Sequence, residues 1–170
     1  MCGIAGIIDL SGCKRVTKSN LTLLSKTIEH RGPDDEGFLI DIGEEIIPCF
    51  GDRTPSIVKE SKFNYRPDLP LPNQEKFNLG LVHRRLSVLD TSPAGHQPMC
   101  SINKSVWITY NGEIYNYIEL RNELTEKGYN FITQTDTEVL LNAYLEWDTK
   151  CVDKFNGMWS FVILDTKKNI

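Results

Sequence analysis

The 170 residues carry 40% hydrophobic and 25% charged side chains with a net charge of −4, the make-up of an ordinary globular domain able to bury a sizeable core. That balance excludes a general nucleic-acid binder, because Lys14-Arg15, Arg84-Arg85 and Lys167-Lys168 are isolated pairs and not a stripe that could meet a phosphate backbone. No run nears the roughly 18 apolar residues of a membrane helix, and the apolar start has no basic lead and soon meets Asp9, so a cytoplasmic protein without a membrane partner is expected.

Cys2 to Ile8 reads as a buried strand with two glycines that permit close backbone approach. Thr17 to His30 reads as a helix, with Leu21, Leu24 and Ile28 on one face and Thr17 or Ser19 as its cap. His30 to Gly37 (HRGPDDEG) is a turn-rich loop, followed by a short strand around Gly37 to Ile42. Between Asp41 and Asn78 the periodicity is poor, and five of the eight prolines fall between Pro48 and Pro72. This stretch is expected to be a long surface excursion and not a separate domain. Phe77 to Asp90 alternates as a strand or strand pair. Ser105 to Tyr110 is strand-like through its β-branched and aromatic residues, and Asn111-Gly112 is a turn dipeptide.

Asn116 to Lys127 reads as a helix with Tyr117, Leu120 and Leu124 on one face and Gly128 at its stop. Thr135 to Glu138 has the capping-box form and opens a helix to about Trp147. Trp159 to Asp165 is a further strand, and the sequence closes in a Lys-Lys-Asn turn like half a hairpin. Strands towards both ends with helices between them predict an α+β layered fold, not a parallel βαβ array.

The five cysteines are widely spaced with no CxxC pair, and the three histidines form no HExxH motif, so neither a disulfide framework nor a metal site is expected. Cys2 differs from the other four by position. Removal of Met1 would free its α-amino group, whose pKa of about 7.7–8.0 lies close to the roughly 8.5 of a thiol. The amine could then act as general base for the thiol of its own residue, directly or through one water. Taken alone, Cys2 is more readily a small buried hydrophobe.

Five motifs change that balance. CGIAGII at the start, HRGPD at His30 to Asp34, HRRLSVLD at His83 to Asp90, NGEIYNY at Asn111 to Tyr117 and TDTEV at Thr135 to Val139 occur in this order. Together they resemble the glutaminase domain of asparagine synthetase, a class II glutamine amidotransferase of the N-terminal-nucleophile hydrolases. The resemblance runs from Cys2 to about Asp165, except for Asp41 to Asn78. It implies a four-layer αββα sandwich, two antiparallel sheets between helices. It also implies a C-terminally truncated piece of a longer chain, with a synthetase domain beyond residue 170.

The resemblance further implies a role for each motif. Cys2 is the nucleophile. The Asn111 side-chain amide and the Gly112 N–H form the oxyanion hole. Arg85 grips the α-carboxylate of L-glutamine, a task suited to a planar guanidinium. Asp136 and Glu113 receive its α-ammonium, with the Val88 carbonyl as a further ligand. Arg84 should point to the opposite strand face from Arg85, and HRGPD is expected to be structural, a turn set by Gly32 and Pro33 and tied down by Arg31 and Asp34. No cofactor is implied for these residues; ATP and Mg²⁺ are implied for the parent's synthetase domain, where ammonia would convert aspartate to asparagine. A homodimer is compatible with this reading. Two alternatives stay open: amidation of another carboxylate, as in surface-polysaccharide synthesis, or a non-catalytic domain that binds glutamine or a partner.

Overall fold

In chain order the elements are β1 (Gly3–Ile8), β2 (Val16–Thr17), α1 (Lys18–Thr27), β3 (Asp35–Asp41), β4 (Ile46–Phe50), α2 (Ser56–Lys59), β5 (Leu69–Pro70), β6 (Lys76–Phe77), β7 (Leu79–Arg85), β8 (Met99–Cys100), β9 (Val106–Ile114), α3 (Tyr117–Glu126), α4 (Asp136–Trp147) and β10 (Gly157–Asp165). This computed structural model describes residues 1–43, 45–73, 76–88 and 90–168. Leu89 of HRRLSVLD, Glu44, Gln74 and Glu75 of the proline-rich stretch, and Asn169 of the closing turn lie outside the described residues.

One sheet has the order β1-β7-β3-β4-β5 and a second the order β10-β9-β8. Every pairing within them is antiparallel except the short β4–β5 contact, which is parallel. Helix α1 packs on β7 and β1, those strands face β9 across the interior, and α4 covers the far side of β9 and β8 with α3 packed against it. The layers are therefore helix, sheet, sheet, helix. The small β2–β6 pair is separate.

Alternation explains the layering. In β3, Phe38 and Ile40 join the apolar cluster under α1, whereas Leu39 joins the cluster between the sheets. In β7, Val82 faces α1 while Leu79 and Leu81 face inward. All of β7 is buried because both of its faces are covered. Gly80 lets α1 approach: a Cβ there would stand 2.6 Å from Leu21 Cδ1. Leu21 and Leu124 are fully buried, each worth roughly 1.5–3 kcal/mol relative to exposure.

Helix starts follow local hydrogen bonding. Thr17 caps α1 reciprocally with Asn20, whose Oδ1 accepts the Thr17 N–H at 3.0 Å. Thr135 caps α4 by accepting the Glu138 N–H at 3.3 Å. The expected box there is only half formed, because Glu138 turns its carboxylate to the N–H groups of Ile132 and Thr133.

Two local expectations are corrected. The 41–78 stretch is not a plain surface excursion. Its Ile46–Phe50 segment pairs with β3 along five positions, and Tyr65, 1% exposed, is part of the core between the layers. Its prolines hid the strand: Pro48 stands within β4, the type of interruption that demotes a strand in a sequence reading. The second correction concerns Asn111-Gly112. Strand β9 runs through this dipeptide, with Asn111 opposite Ser160 and Gly112 opposite Trp159. The glycine is required by a neighbouring strand, since a Cβ would lie 2.6 Å from Trp159 Cα and collide with the Met158 carbonyl.

Candidate active site

The register Gly3↔Arg84 in the β1–β7 ladder brings the first residues of the chain beside the C-terminal end of β7. Cys2 lies there half-buried, with the Leu86 N–H directed at its Sγ at 3.4 Å and the Leu86 carbonyl 3.7 Å from the sulfur. Arg31 Nε donates to the Cys2 carbonyl at 3.0 Å, so the HRGPD loop holds Cys2 in place.

That loop is itself docked on β7. Arg84 Nε donates to the Gly32 carbonyl at 3.1 Å, the Asp34 N–H to the Arg85 carbonyl at 3.0 Å, and the Ser87 N–H to Asp34 Oδ2 at 2.8 Å. Gly32 touches the strand so closely that a Cβ would stand 2.6 Å from Arg85 N. Arg84, 1% exposed, points away from the site and pairs with Glu29 and Glu36 at 3.3 Å, as strand alternation requires.

Arg85 points the other way. Its Nη1 donates to the Ser92 carbonyl at 2.8 Å and its Nη2 to the Asp90 carbonyl. The guanidinium lies against Gly95, where any Cβ would collide with it. The loop after β7 thus folds around the guanidinium and fixes its plane.

A cavity of about 320 Å³ opens beside Cys2. Cys2, Arg85, Val88, Asn111, Gly112, Glu113 and Asp136 all line it, so the seven residues to which the resemblance gives a catalytic or substrate-binding role meet in one place. They come from the chain start, the end of β7 and its loop, the end of β9 and the start of α4. Val88 and Glu113 are exposed at its edge, while Arg85 and Asp136 are buried. The Asn111 Oδ1 is buried with no hydrogen-bond partner, an orphan acceptor whose desolvation costs about 1–3 kcal/mol until a donor arrives. Met1 also lines the cavity, and while it is attached the Cys2 nitrogen is an amide that cannot take a proton.

Asp136 is the first residue of α4, held by the helix N-terminus. Its Oδ2 accepts from the Tyr110 hydroxyl at 2.7 Å and the Ile114 N–H at 3.1 Å. Burial raises its carboxyl above the ordinary range, and these hydrogen bonds oppose that rise. Burial, followed by the Asp136 charge, likewise pushes the Tyr110 phenol up. A cation bound beside Asp136 would offset the desolvation.

The lining includes residues not singled out from the sequence: Leu86, Gly95, Gln97, Tyr110, Thr135, Thr137 and Met158 among them. Leu86 acts through its backbone, which has no side-chain signature. Tyr110 reads as an ordinary strand residue. Among the described residues no group of three or more His, Cys, Asp and Glu side chains could hold a metal ion, and no helix is long and apolar enough to cross a membrane. A larger cleft of about 1050 Å³, bounded by Ile7, Asp41, Pro48, Trp107 and Val162, has no cysteine in its lining.

A family model described as the glutamine amidotransferase domain matches residues 67–170. The chain belongs to the glutamine amidotransferase family. Among curated relatives, glutamine-hydrolysing asparagine synthetase 3 of Bacillus subtilis is 34% identical over 172 residues, covering 100% of this chain and 22% of that protein. A Methanocaldococcus jannaschii protein provisionally named a glutamine-hydrolysing asparagine synthetase is 37% identical over 187 residues, covering 100% of this chain and 29% of its own length. The chain thus spans less than a third of these relatives. Among solved structures, the glutamine phosphoribosylpyrophosphate amidotransferase from B. subtilis superposes with a TM-score of 0.69 at 20% identity, covering 98% of this chain and 35% of that one. The amidotransferase family and the layered fold therefore agree.

Proposed function

We propose that this amidotransferase domain hydrolyses L-glutamine to glutamate and ammonia through a thioester on Cys2. The observation that carries the reading is the convergence of the seven motif residues on one cavity beside a sulfur that faces a backbone N–H.

The chemistry starts with loss of Met1, which frees the Cys2 amine. The amine takes the thiol proton, and the thiolate attacks the side-chain amide carbon of glutamine. The carbonyl electron pair moves to oxygen, where the Asn111 amide and the Gly112 N–H receive it. The Cys2 ammonium returns its proton to the amide nitrogen, the C–N bond breaks and ammonia leaves. Water then attacks the thioester, releasing glutamate and restoring the thiol. Arg85 pairs with the substrate α-carboxylate, and Asp136 and Glu113 with its α-ammonium, for which the Val88 carbonyl is a further ligand. In the parent protein the ammonia feeds ATP-dependent conversion of aspartate to asparagine, with ATP and Mg²⁺ in a synthetase domain of the same chain.

The test is intact-mass measurement for Met1 loss, followed by glutamate release from glutamine for wild type and Cys2→Ala. Release by the wild type and none by the variant is the expected result. A folded wild type with a free Cys2 that releases no glutamate, with and without ATP and aspartate, overturns the reading.

A further inference from the structure

Gln97 stands in none of the motifs, yet it lines the cavity and is 5% exposed. The β8–β9 ladder pairs Met99 with Ile108 and Cys100 with Trp107. Continuing that register sets Gln97 opposite Tyr110, but Pro98 between them has no N–H and ends the ladder. The Gln97 main-chain carbonyl packs instead on Gly37, where a Cβ would collide with it. Its side chain takes over the missing pairing: Oε1 accepts the Tyr110 N–H at 2.7 Å, and Nε2 donates to Thr137 Oγ1 at 3.2 Å.

Tyr110 is held at three further and independent points around that bond's residue. Its carbonyl accepts from His83 Nε2 at 3.2 Å, its hydroxyl donates to Asp136 Oδ2 at 2.7 Å, and its neighbour across the sheet is Phe161. The Gln97 bond fixes the Thr109–Tyr110 peptide and the His83 bond the Tyr110–Asn111 peptide, so both planes flanking Tyr110 are set before the chain enters Asn111. The Thr137 end of the Gln97 amide ties the same point to the first turn of α4, next to Asp136.

We propose that Gln97 is a positioning residue for oxyanion stabilisation: its side-chain amide holds the Tyr110 peptide in register, so that the Asn111 amide and the Gly112 N–H converge on the carbonyl oxygen attacked by Cys2. The proposal rests on the glutaminase reading above. It assigns Gln97 no contact with the reacting atoms.

The experiment compares full-length wild type, Cys2→Ala, Gln97→Met and Gln97→Glu. Met has nearly the same length as Gln but neither hydrogen bond. Glu keeps an acceptor for the Tyr110 N–H, and the Thr137 hydroxyl can reverse to donate to it. Two rates are read, glutamate release and alkylation of Cys2 by iodoacetamide. Alkylation displaces iodide and forms no oxyanion, so it reports on the nucleophile without the hole.

The expected result for Gln97→Met is a kcat lower by about 10- to 100-fold, the range of displaced or lost oxyanion donors. The KM for glutamine and the alkylation rate stay at wild-type values, and Gln97→Glu recovers most of the kcat. A Gln97→Met enzyme with wild-type kcat overturns the proposal, as does an alkylation rate that falls in step with kcat, or a rise in KM alone. If Gln97→Met gives no cooperative melt, Gln97→Asn replaces it, being too short to span both partners, with the same expected and overturning results. An active wild type and an inactive Cys2→Ala beside an unimpaired Gln97 variant sink only the positioning role. An inactive wild type sinks the glutaminase reading and this proposal with it.

Discussion

His83 lies in the middle of β7 with Ile4 and Gly37 as cross-strand neighbours, and it is 1% exposed. Burial pushes its pKa down from 6.5 to about 3, against the pull of Asp35 and with the help of nearby His96. The sign of the pH effect follows from proton counts. Between pH 3 and 6.5 the unfolded chain protonates this imidazole and the folded one does not, so unfolding takes up a proton and stability falls as pH falls. From pH 7 to pH 5 the two pKa values give a loss of about 2 kcal/mol from this single group. A folded pKa of 4 leaves the figure unchanged, because at pH 5 the native imidazole is then still almost wholly neutral. The assay is urea unfolding at pH 7 and pH 5, followed by fluorescence of the buried Trp107. His83→Gln is the control, since it retains an N–H for the Tyr110 carbonyl but does not titrate. The pH sensitivity of the wild type should exceed that of the variant by about 2 kcal/mol. Equal sensitivities would refute the reasoning and place the folded pKa near that of the unfolded chain.

Three other perturbations follow from the geometry. Gly112→Ala would drive a methyl into the backbone of β10, 2.6 Å from Trp159 Cα. Loss of about 1–3 kcal/mol of stability is expected, together with loss of glutamate release; a variant that melts like wild type would show that the two strands are not so close. Arg85→Lys removes the fork that now spans the Asp90 and Ser92 carbonyls. The KM for glutamine should rise at least about tenfold with kcat nearly unchanged, and a KM at the wild-type value in steady-state kinetics would remove Arg85 from substrate binding. Thr135→Ala deletes the cap of α4 and should cost about 1 kcal/mol in urea unfolding; no loss would mean that water replaces the hydroxyl without penalty.

Much of the molecule was legible because local chemistry and tertiary packing agree. Thr17, Thr135 and Gly128 mark helix ends through backbone hydrogen bonding and positive φ, which are short-range properties. The spacing of Leu120 and Leu124 marks the buried face of α3 for the same reason. Cys2 was legible through its position beside Met1, which determines the chemistry open to its amine, together with the five motifs that follow it. A strand's period of two must send Arg84 and Arg85 to opposite faces, and the resemblance of HRRLSVLD to the family motif singled out Arg85.

What only the tertiary structure decided depends on which strands become neighbours. Asn111-Gly112 carries the preference of a turn, yet it lies inside β9 because β10 supplies a partner on one side and leaves no room for a side chain. The proline-rich stretch has no period of its own, yet Ile46–Phe50 becomes a strand because β3 offers it an open edge. Gln97 and Leu86 reach the site by a missing ladder bond and a backbone N–H, neither of which has a sequence pattern. A sequence records what each residue can do locally. Which unpaired donor meets which acceptor across 84 residues, as Leu86 meets Cys2, is set only when the sheets close on each other.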